Sequence, residues 1–357
     1  MANRAAALLP TVNLRADGVN PDSVRLPAEL LGLPPQLDFY RTTPPNGQCE
    51  DEALPEKSQP RMIGSGGFGS VYEAFDTKRQ LWVAVKILHQ GTHSTLTEGA
   101  HEWKRELFAC DARRTAGPFP GIVEILDFGL AASDGVHPPA FYVVMPLVKG
   151  KPLDPQSYFH KEDKLNIGTQ IAAALDFLHK NRLLHRDLKP SNILYDEETR
   201  EVTIIDLGLM RRMLDPDLLE EHLRRSDFVT WKELPRGEET CTGIILGTPS
   251  YMSPEQARGE NIKLKPASDV FTLGVIMWEF WGADPEVYDS AVHCVESRAR
   301  HGLDFECPEL VDDDKPLSDL FYQMVDMDPK NRPTATIVWR TLATIMAQIC
   351  GHGYPTT

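Results

Sequence analysis

His185-Arg186-Asp187-Leu188-Lys189-Pro190-Ser191-Asn192 is the stretch around which the rest of the chain is organised. From Asp187 to Asn192 it sets a carboxylate, an ammonium and a carboxamide within six positions. Ile167, Ile171, Ala174/Leu175 and Leu178 recur at helical spacing and predict a helix over 163–182 that delivers the chain to His185. Fourteen residues after Asn192, the run Ile204-Ile205-Asp206-Leu207-Gly208 supplies a second carboxylate. An Asp that can accept a hydroxyl proton, a Lys close to it, and an Asn/Asp pair suited to a hard cation together suit phosphoryl transfer.

Upstream, Ile63-Gly64-Ser65-Gly66-Gly67-Phe68-Gly69-Ser70-Val71-Tyr72 fits the pattern G-x-G-x-x-G-x-V. Glycines there let a hairpin backbone approach triphosphate oxygens with no side chain between. Alone, such a motif more commonly marks an ordinary turn. Its surroundings shift the balance: 70–75 and 81–88 both read as strands, whereas a dinucleotide-binding turn would lead into a helix. The second strand carries Val83-Ala84-Val85-Lys86, and a helix predicted over 101–111 carries Lys104-Arg105-Glu106-Leu107. An apolar strand over 140–145 runs into Pro146-Leu147-Val148. Downstream come Gly247-Thr248-Pro249-Ser250-Tyr251-Met252-Ser253-Pro254-Glu255, then Ser268-Asp269-Val270 opening an apolar helix over 271–280. Asp328-Pro329-Lys330-Asn331-Arg332-Pro333 precedes a closing helix that extends to 349.

In this order the motifs resemble those of the eukaryotic-type serine/threonine protein kinases, over residues 57–346. The resemblance implies an α+β, bilobal protein-kinase-like fold: a small antiparallel-sheet lobe (57–147) with one main helix, a larger mainly helical lobe (148–346), and ATP between them. It makes Asp187 the base or proton acceptor, Lys189 the stabiliser of the transferring phosphate, and Asn192 and Asp206 the holders of Mg2+. Lys86 would pair with the α- and β-phosphates and with Glu106, Glu102 being the alternative partner one turn earlier. Ile63, Gly64, Ser65, Gly66, Gly67, Phe68, Gly69 and Val71 would cover the nucleotide. Ala84 and Met145 belong to the adenine pocket by the same likeness, with the Pro146 carbonyl and the Val148 amide as hinge contacts. A simple strand-end turn explains Pro146 equally well.

Lys189 and Thr248 both follow the serine/threonine pattern rather than the tyrosine one. Glu255 should pair in the core with Arg332, since either would be costly to bury alone. Asp269 should accept from backbone donors of the catalytic loop. Ser253-Pro254-Glu255 stands where the family has A-P-E, and Asp206-Leu207-Gly208 replaces the usual Phe by Leu. The literal Asp127-Phe128-Gly129 follows a strand predicted over 122–126 and precedes the catalytic loop, so Asp127 reads as a strand-end residue. A pseudokinase scaffold would lack one of the Lys and Asp positions, and a small-molecule kinase of related fold usually lacks the 248–255 platform. Protein substrates with Ser or Thr acceptors are therefore expected.

The net charge of −15 argues against a nucleic-acid footprint or a basic membrane patch. Six scattered cysteines form no C-x-x-C pair and suit reduced thiols. No apolar run reaches the ~18 residues of a membrane span, and the N-terminal apolar run stops at Pro10, short of the ~7 residues of a signal core. A cytoplasmic location is the expectation. Residues 1–56 are proline-rich and without sustained period, and read as a largely disordered extension. Within them, the apolar side chains of 26–40 could dock on the folded domain or a partner. Residues 347–357 read as a tail.

The activation segment, 206–255, is long for the family. Within its insertion, 209–246, Asp215-Pro216-Asp217 is a helix-start signal, followed by Leu214/Leu218/His222 spacing and Arg224-Arg225. A short docking helix and a solvated insertion both fit. Thr240 and Thr242 are phosphate-acceptor candidates that could pair with Arg186.

Overall fold

A computed structural model of the chain describes residues 37–38, 61–66, 69–88, 109–131, 140–157, 159–206, 210–213, 247–260, 264–283, 291–302 and 315–350. Gly67, Phe68, Glu102, Glu106, Leu207, Gly208, the 214–246 stretch and residues 351–357 lie outside them, as does most of 1–56. The chain divides into two compact units, residues 1–103 with 125–147, and residues 104–124 with 148–357.

The first unit is an antiparallel sheet. Its strands are β1 (Leu37–Asp38), β2 (Met62–Gly66), β3 (Gly69–Asp76), β4 (Leu81–Leu88), β5 (Asp127–Ala131) and β6 (Ala140–Pro146), in the order β1-β3-β4-β6-β5 with β2 also paired to β3. Alternation along β3 and β4 sends Tyr72, Ala74, Val83, Val85 and Ile87 into one core cluster with Tyr142 and Val144 of β6. Each aliphatic side chain buried there contributes about 1.5–3 kcal/mol. Gly69 is required by close approach: a Cβ there would stand 2.3 Å from the Ile87 carbonyl oxygen.

The β3–β4 turn is fixed by Asp76, wholly buried, which accepts from the amides of Lys78 (3.0 Å) and Arg79 (2.9 Å) and from the Arg79 guanidinium (2.7 Å). Burial works to raise the Asp76 carboxyl, but these bonds outweigh it and hold the group below its ordinary range.

Leu37–Asp38, within the 26–40 stretch whose apolar side chains could dock on the folded domain or a partner, form β1 against Asp76 and Phe75, and Leu37 packs beside Leu81 and Leu126 on the core cluster. One expectation is corrected. The strand predicted over 122–126 is absent: Ile122 makes one isolated parallel bridge, to Ile204, and the strand begins at Asp127. Asp127 sits at the start of β5 opposite Val144, and its carboxylate accepts from the amide of Phe128 at 2.9 Å. It opens a strand, where the sequence reading has it close one.

The second unit is mainly helical. Residues 109–116 form α1, and the segment 104–124 clusters with this unit rather than with the sheet that precedes it. The other helices are α2 (Lys161–Lys180), α3 (Pro254–Ala257), α4 (Pro266–Phe280), α5 (Ala291–His301), α6 (Lys315–Met324) and α7 (Ala335–Cys350). Three short strands, β7 (Lys151–Pro152), β9 (Ile193–Asp196) and β10 (Glu201–Ile204), form one small sheet. β8 (Leu183–Leu184) pairs with β11 (Arg211–Arg212) in another.

Pro266, at the first helical position, starts α4 at no cost in hydrogen bonds. Every residue from Ser268 to Phe280 is buried, so α4 is the post on which the unit is assembled. Trp278 and Trp281 meet Tyr322 and Phe321 of α6 edge to face, with centroids 4.9 and 5.3 Å apart. Among the described residues no helix is long and apolar enough to cross a membrane.

Candidate active site

Asp269, in the first turn of α4, is the fixed point of the site. Its Oδ2 accepts from the His185 amide (2.9 Å) and its Oδ1 from the Arg186 amide (2.8 Å). His179 Nε2, near the end of α2, lies 2.9 Å from Oδ2. Burial works to raise this carboxyl, but the His179 hydrogen bond and charge and the Arg186 amide hold it below the ordinary range. The chain thus leaves β8 with two consecutive amides pinned on a carboxylate. Arg186 takes φ +69°, a left-handed conformation that costs a side-chain-bearing residue about 1–3 kcal/mol.

Beyond Arg186 the side chains of the quoted stretch converge. Lys189 Nζ lies 3.4 Å from Asp187 Oδ2 and donates to Thr248 Oγ1 at 3.0 Å. Thr248 Oγ1 in turn donates to Asp187 Oδ1 at 3.1 Å. Asn192 Nδ2 donates to the Asp187 carbonyl at 3.0 Å, tying the loop's end to its acid. A 3-10 turn over Pro190–Asn192, with the Asn192 amide on the Lys189 carbonyl (2.9 Å), makes that return possible. The Ile205 amide donates to the Asn192 carbonyl at 2.9 Å, which holds the residue before Asp206 against the loop.

Before Thr248, Gly247 has φ +117°, and a Cβ on it would lie 3.3 Å from the Arg186 carbonyl oxygen. Glycine lets the two backbones approach. His185 is buried beneath the loop, and desolvation pulls its imidazole below the ordinary range against the opposing charges of Asp269, Asp187 and Asp206. It is a neutral packing residue.

The platform after Thr248 is anchored in the core. Arg332 forks onto Glu255, Nη1 to Oε1 at 2.7 Å and Nη2 to Oε2 at 3.0 Å, the pairing expected from sequence. Ser268 donates to the same Oε1 at 2.7 Å, and the Arg332 guanidinium lies 4.8 Å from the Phe271 ring centroid. Burial works to raise Glu255, and the Arg332 bonds and charge with Ser268 bring it below its ordinary value. Tyr251 donates to Glu279 at 3.0 Å, and Thr272 donates to the Tyr251 carbonyl at 2.9 Å. Arg298 of α5, fully buried, donates to the Ser250 carbonyl at 3.0 Å.

One residue of this region escapes the sequence argument. Gln256 is buried and donates from Nε2 to the Arg186 carbonyl at 2.7 Å. Its signal was present in part: Ser253-Pro254-Glu255-Gln256 spells a capping box, and the structure forms it.

In the first unit, Lys86 is half-buried on β4 with Val71 and Val143 as its strand neighbours. Ala84 lies between Glu73 and Met145, both Ala84 and Met145 being buried. Ile63, Gly64, Ser65 and Gly66 form β2, with Val71 opposite Gly64 and Gly69 opposite Gly66. Pro146 ends β6 opposite Val83, and the next amide, of Leu147, donates to the Trp82 carbonyl at 3.0 Å. Val148, half-buried, belongs to the second unit. The structure therefore brings Asp187, Lys189, Asn192 and Thr248 into direct contact, with Asp206 adjacent in chain to a residue held on Asn192.

Comparison with known proteins agrees with this arrangement. The family model for the protein kinase domain matches residues 58–342. Serine/threonine-protein kinase PknA of Mycobacterium tuberculosis is 35% identical over 226 residues, covering 61% of this chain and 45% of PknA. PrkC of Bacillus subtilis, a serine/threonine-protein kinase, is 30% identical over 223 residues, 61% of this chain and 29% of PrkC. PknB of Mycobacterium leprae, also a serine/threonine-protein kinase, is 30% identical over 251 residues, 67% of this chain and 34% of PknB. The chain spans less than half the length of each of these relatives. With most of its length matched by the family model, and with the loop, the platform and the sheet built as described, the chain belongs to the protein kinase domain family.

Proposed function

We propose that the chain is a serine/threonine protein kinase that transfers the γ-phosphoryl group of ATP to Ser or Thr hydroxyls of protein substrates. The observation that carries this reading is the triangle of Asp187, Lys189 and Thr248. A hydroxyl sits there with its proton directed to Asp187 Oδ1 and its oxygen receiving a bond from Lys189 Nζ. That is the handling an acceptor hydroxyl needs when it attacks phosphorus: an acceptor for its proton and a cation beside the developing charge. Asp187 orients the nucleophile, and Lys189 neutralises charge on the transferring group.

Asn192 and Asp206 would hold Mg2+. They fit it: Asn192 spends its Nδ2 on the Asp187 carbonyl, which leaves Oδ1 as its acceptor half, and Asp206 adds a hard carboxylate. Bound there, magnesium supplies charge neutralisation for the phosphates. Lys86, oriented by Glu106, is assigned to the α- and β-phosphates, and the 63–71 hairpin with Ala84, Met145, Pro146 and Val148 to the rest of ATP. A reducing, cytoplasmic compartment goes with six scattered cysteines that form no C-x-x-C pair. Protein partners would dock through 209–246 or the N-terminal extension.

The test is incubation of the purified chain with labelled ATP, Mg2+ and generic protein acceptors, followed by phosphoamino-acid analysis. Phosphoserine or phosphothreonine is the expected product. Predominant phosphotyrosine would overturn the assignment of Lys189 and Thr248, and label in small molecules alone would overturn the protein-substrate reading.

A further inference from the structure

We infer that Gln256 is a positioning residue for the proposed phosphotransfer, setting the orientation of Asp187 through the carbonyl of the residue before it. The inference rests on the kinase reading above and adds to it a link between the platform and the base that runs through one buried carboxamide.

The carboxamide's orientation is fixed by its partners. Gln256 Oε1 receives the Ser253 amide at 3.1 Å and the Ser253 hydroxyl at 3.1 Å. A backbone N–H can only donate, so the oxygen must face Ser253 and the nitrogen must face away from it. Nε2 then meets the Arg186 carbonyl oxygen, which can only accept, at 2.7 Å. Both ends of the contact are buried: Gln256 is 2% and Arg186 6% exposed.

The Arg186 carbonyl belongs to the peptide plane that runs on through the Asp187 nitrogen to its Cα. Since that plane is rigid, holding its oxygen fixes ψ of Arg186 and the direction in which Asp187 leaves it. The need for such a hold is local. Arg186 is at φ +69°, from which it would relax if free. Asp269 grips the amide side of the residue at 2.8 Å, and Gln256 grips the carbonyl side. The strained residue is thus clamped at both ends, from α4 and from α3. The α3 end is part of the platform that also carries Glu255 and follows Thr248. Any shift of the platform is transmitted to the base by a bond rather than by packing alone.

Gln256→Glu separates the two halves of the carboxamide. The carboxylate still accepts from Ser253, so the cap is kept, but it has no proton for the Arg186 carbonyl. A 1 Å misplacement of a reacting group costs about 10²-fold, so kcat should fall by roughly that factor while KM for ATP stays within about threefold of wild type. On acidification the carboxyl gains a proton and can donate again. The ratio of wild-type to variant kcat should therefore shrink several-fold from pH 8 to pH 6.

Ser253→Ala is the control for capping. It should lower the melting temperature and leave kcat within about threefold, because the Ser253 amide still orients the carboxamide. If Gln256→Glu does not fold, Gln256→Met buries no charge and carries the same comparison of kcat against KM. A Glu or Met variant with wild-type kcat overturns the positioning role. So does a loss of kcat that Ser253→Ala reproduces, or a deficit that stays constant with pH in a folded Glu variant. A wild-type chain with no phosphotransfer at all would instead overturn the kinase reading, and the positioning role with it.

Discussion

Arg332 and Glu255 show at the level of single residues how much of this protein is settled by charge that cannot reach water. Their side chains are 0% and 5% exposed, and among the described residues the guanidinium bonds to Glu255 and to the backbone carbonyls of Ala267, Asp326 and Met327 and lies on the Phe271 face. Removing one partner leaves the other buried and uncompensated, at a cost of about 3–5 kcal/mol. Arg332→Ala should therefore lower the unfolding free energy by that order in urea titration. The double replacement Glu255→Leu with Arg332→Met should be milder than either single removal. This pair was legible because an Arg and a Glu in two matching motifs need each other. Gln256 was not, because a carboxamide's value depends on which carbonyl it meets, and Arg186 lies 70 residues away in sequence.

Elements were legible where they had period and length. The 20-residue α2 and the eight-residue strands β3 and β4 stand close to where their apolar spacing puts them. β1 has two residues and no period, and its partner edge on β3 is fixed only by tertiary pairing, so no local signal could reveal it. The apolar run 122–126 failed in the other direction. A short apolar stretch is equally compatible with a strand and with a buried connector, and here the Gly121 carbonyl and the Val123 amide are both bonded to the Ile204 backbone while the Ile122 amide turns back to the Phe119 carbonyl. If β1 closes the corner of the first unit, Leu37→Asp should destabilise it by about 1–2 kcal/mol, the transfer value of a partly buried Leu. Hydrogen exchange of the Phe75 and Asp76 amides would show it; unchanged exchange would mean that the strand adds nothing to the sheet.

At the scale of the whole molecule, the buried carboxylates and His185 share one direction for the effect of pH. Asp269, Glu255, Asp176 and Asp76 all lie below their ordinary carboxyl values. Such a group contributes stability that is complete above its unfolded pKa, near 3.8 for Asp and 4.5 for Glu, and is lost as pH falls toward the folded value. His185 is also lowered, from 6.5, so its neutral burial is favoured above that pH and opposed below it. Both act on the acid side. Melting temperature should be flat near neutrality, begin to decline below about pH 6.5, and fall steeply below about pH 4. A melting temperature unchanged down to pH 4 would contradict these environments. The central claim, that the cluster on the 185–192 loop performs phosphotransfer, is tested most directly by kcat for Asp187→Asn against wild type, with contaminating kinase excluded. A loss of about 10²–10⁴-fold or more is expected, in a variant whose melting temperature stays near that of wild type. Wild-type turnover in that variant would contradict the claim.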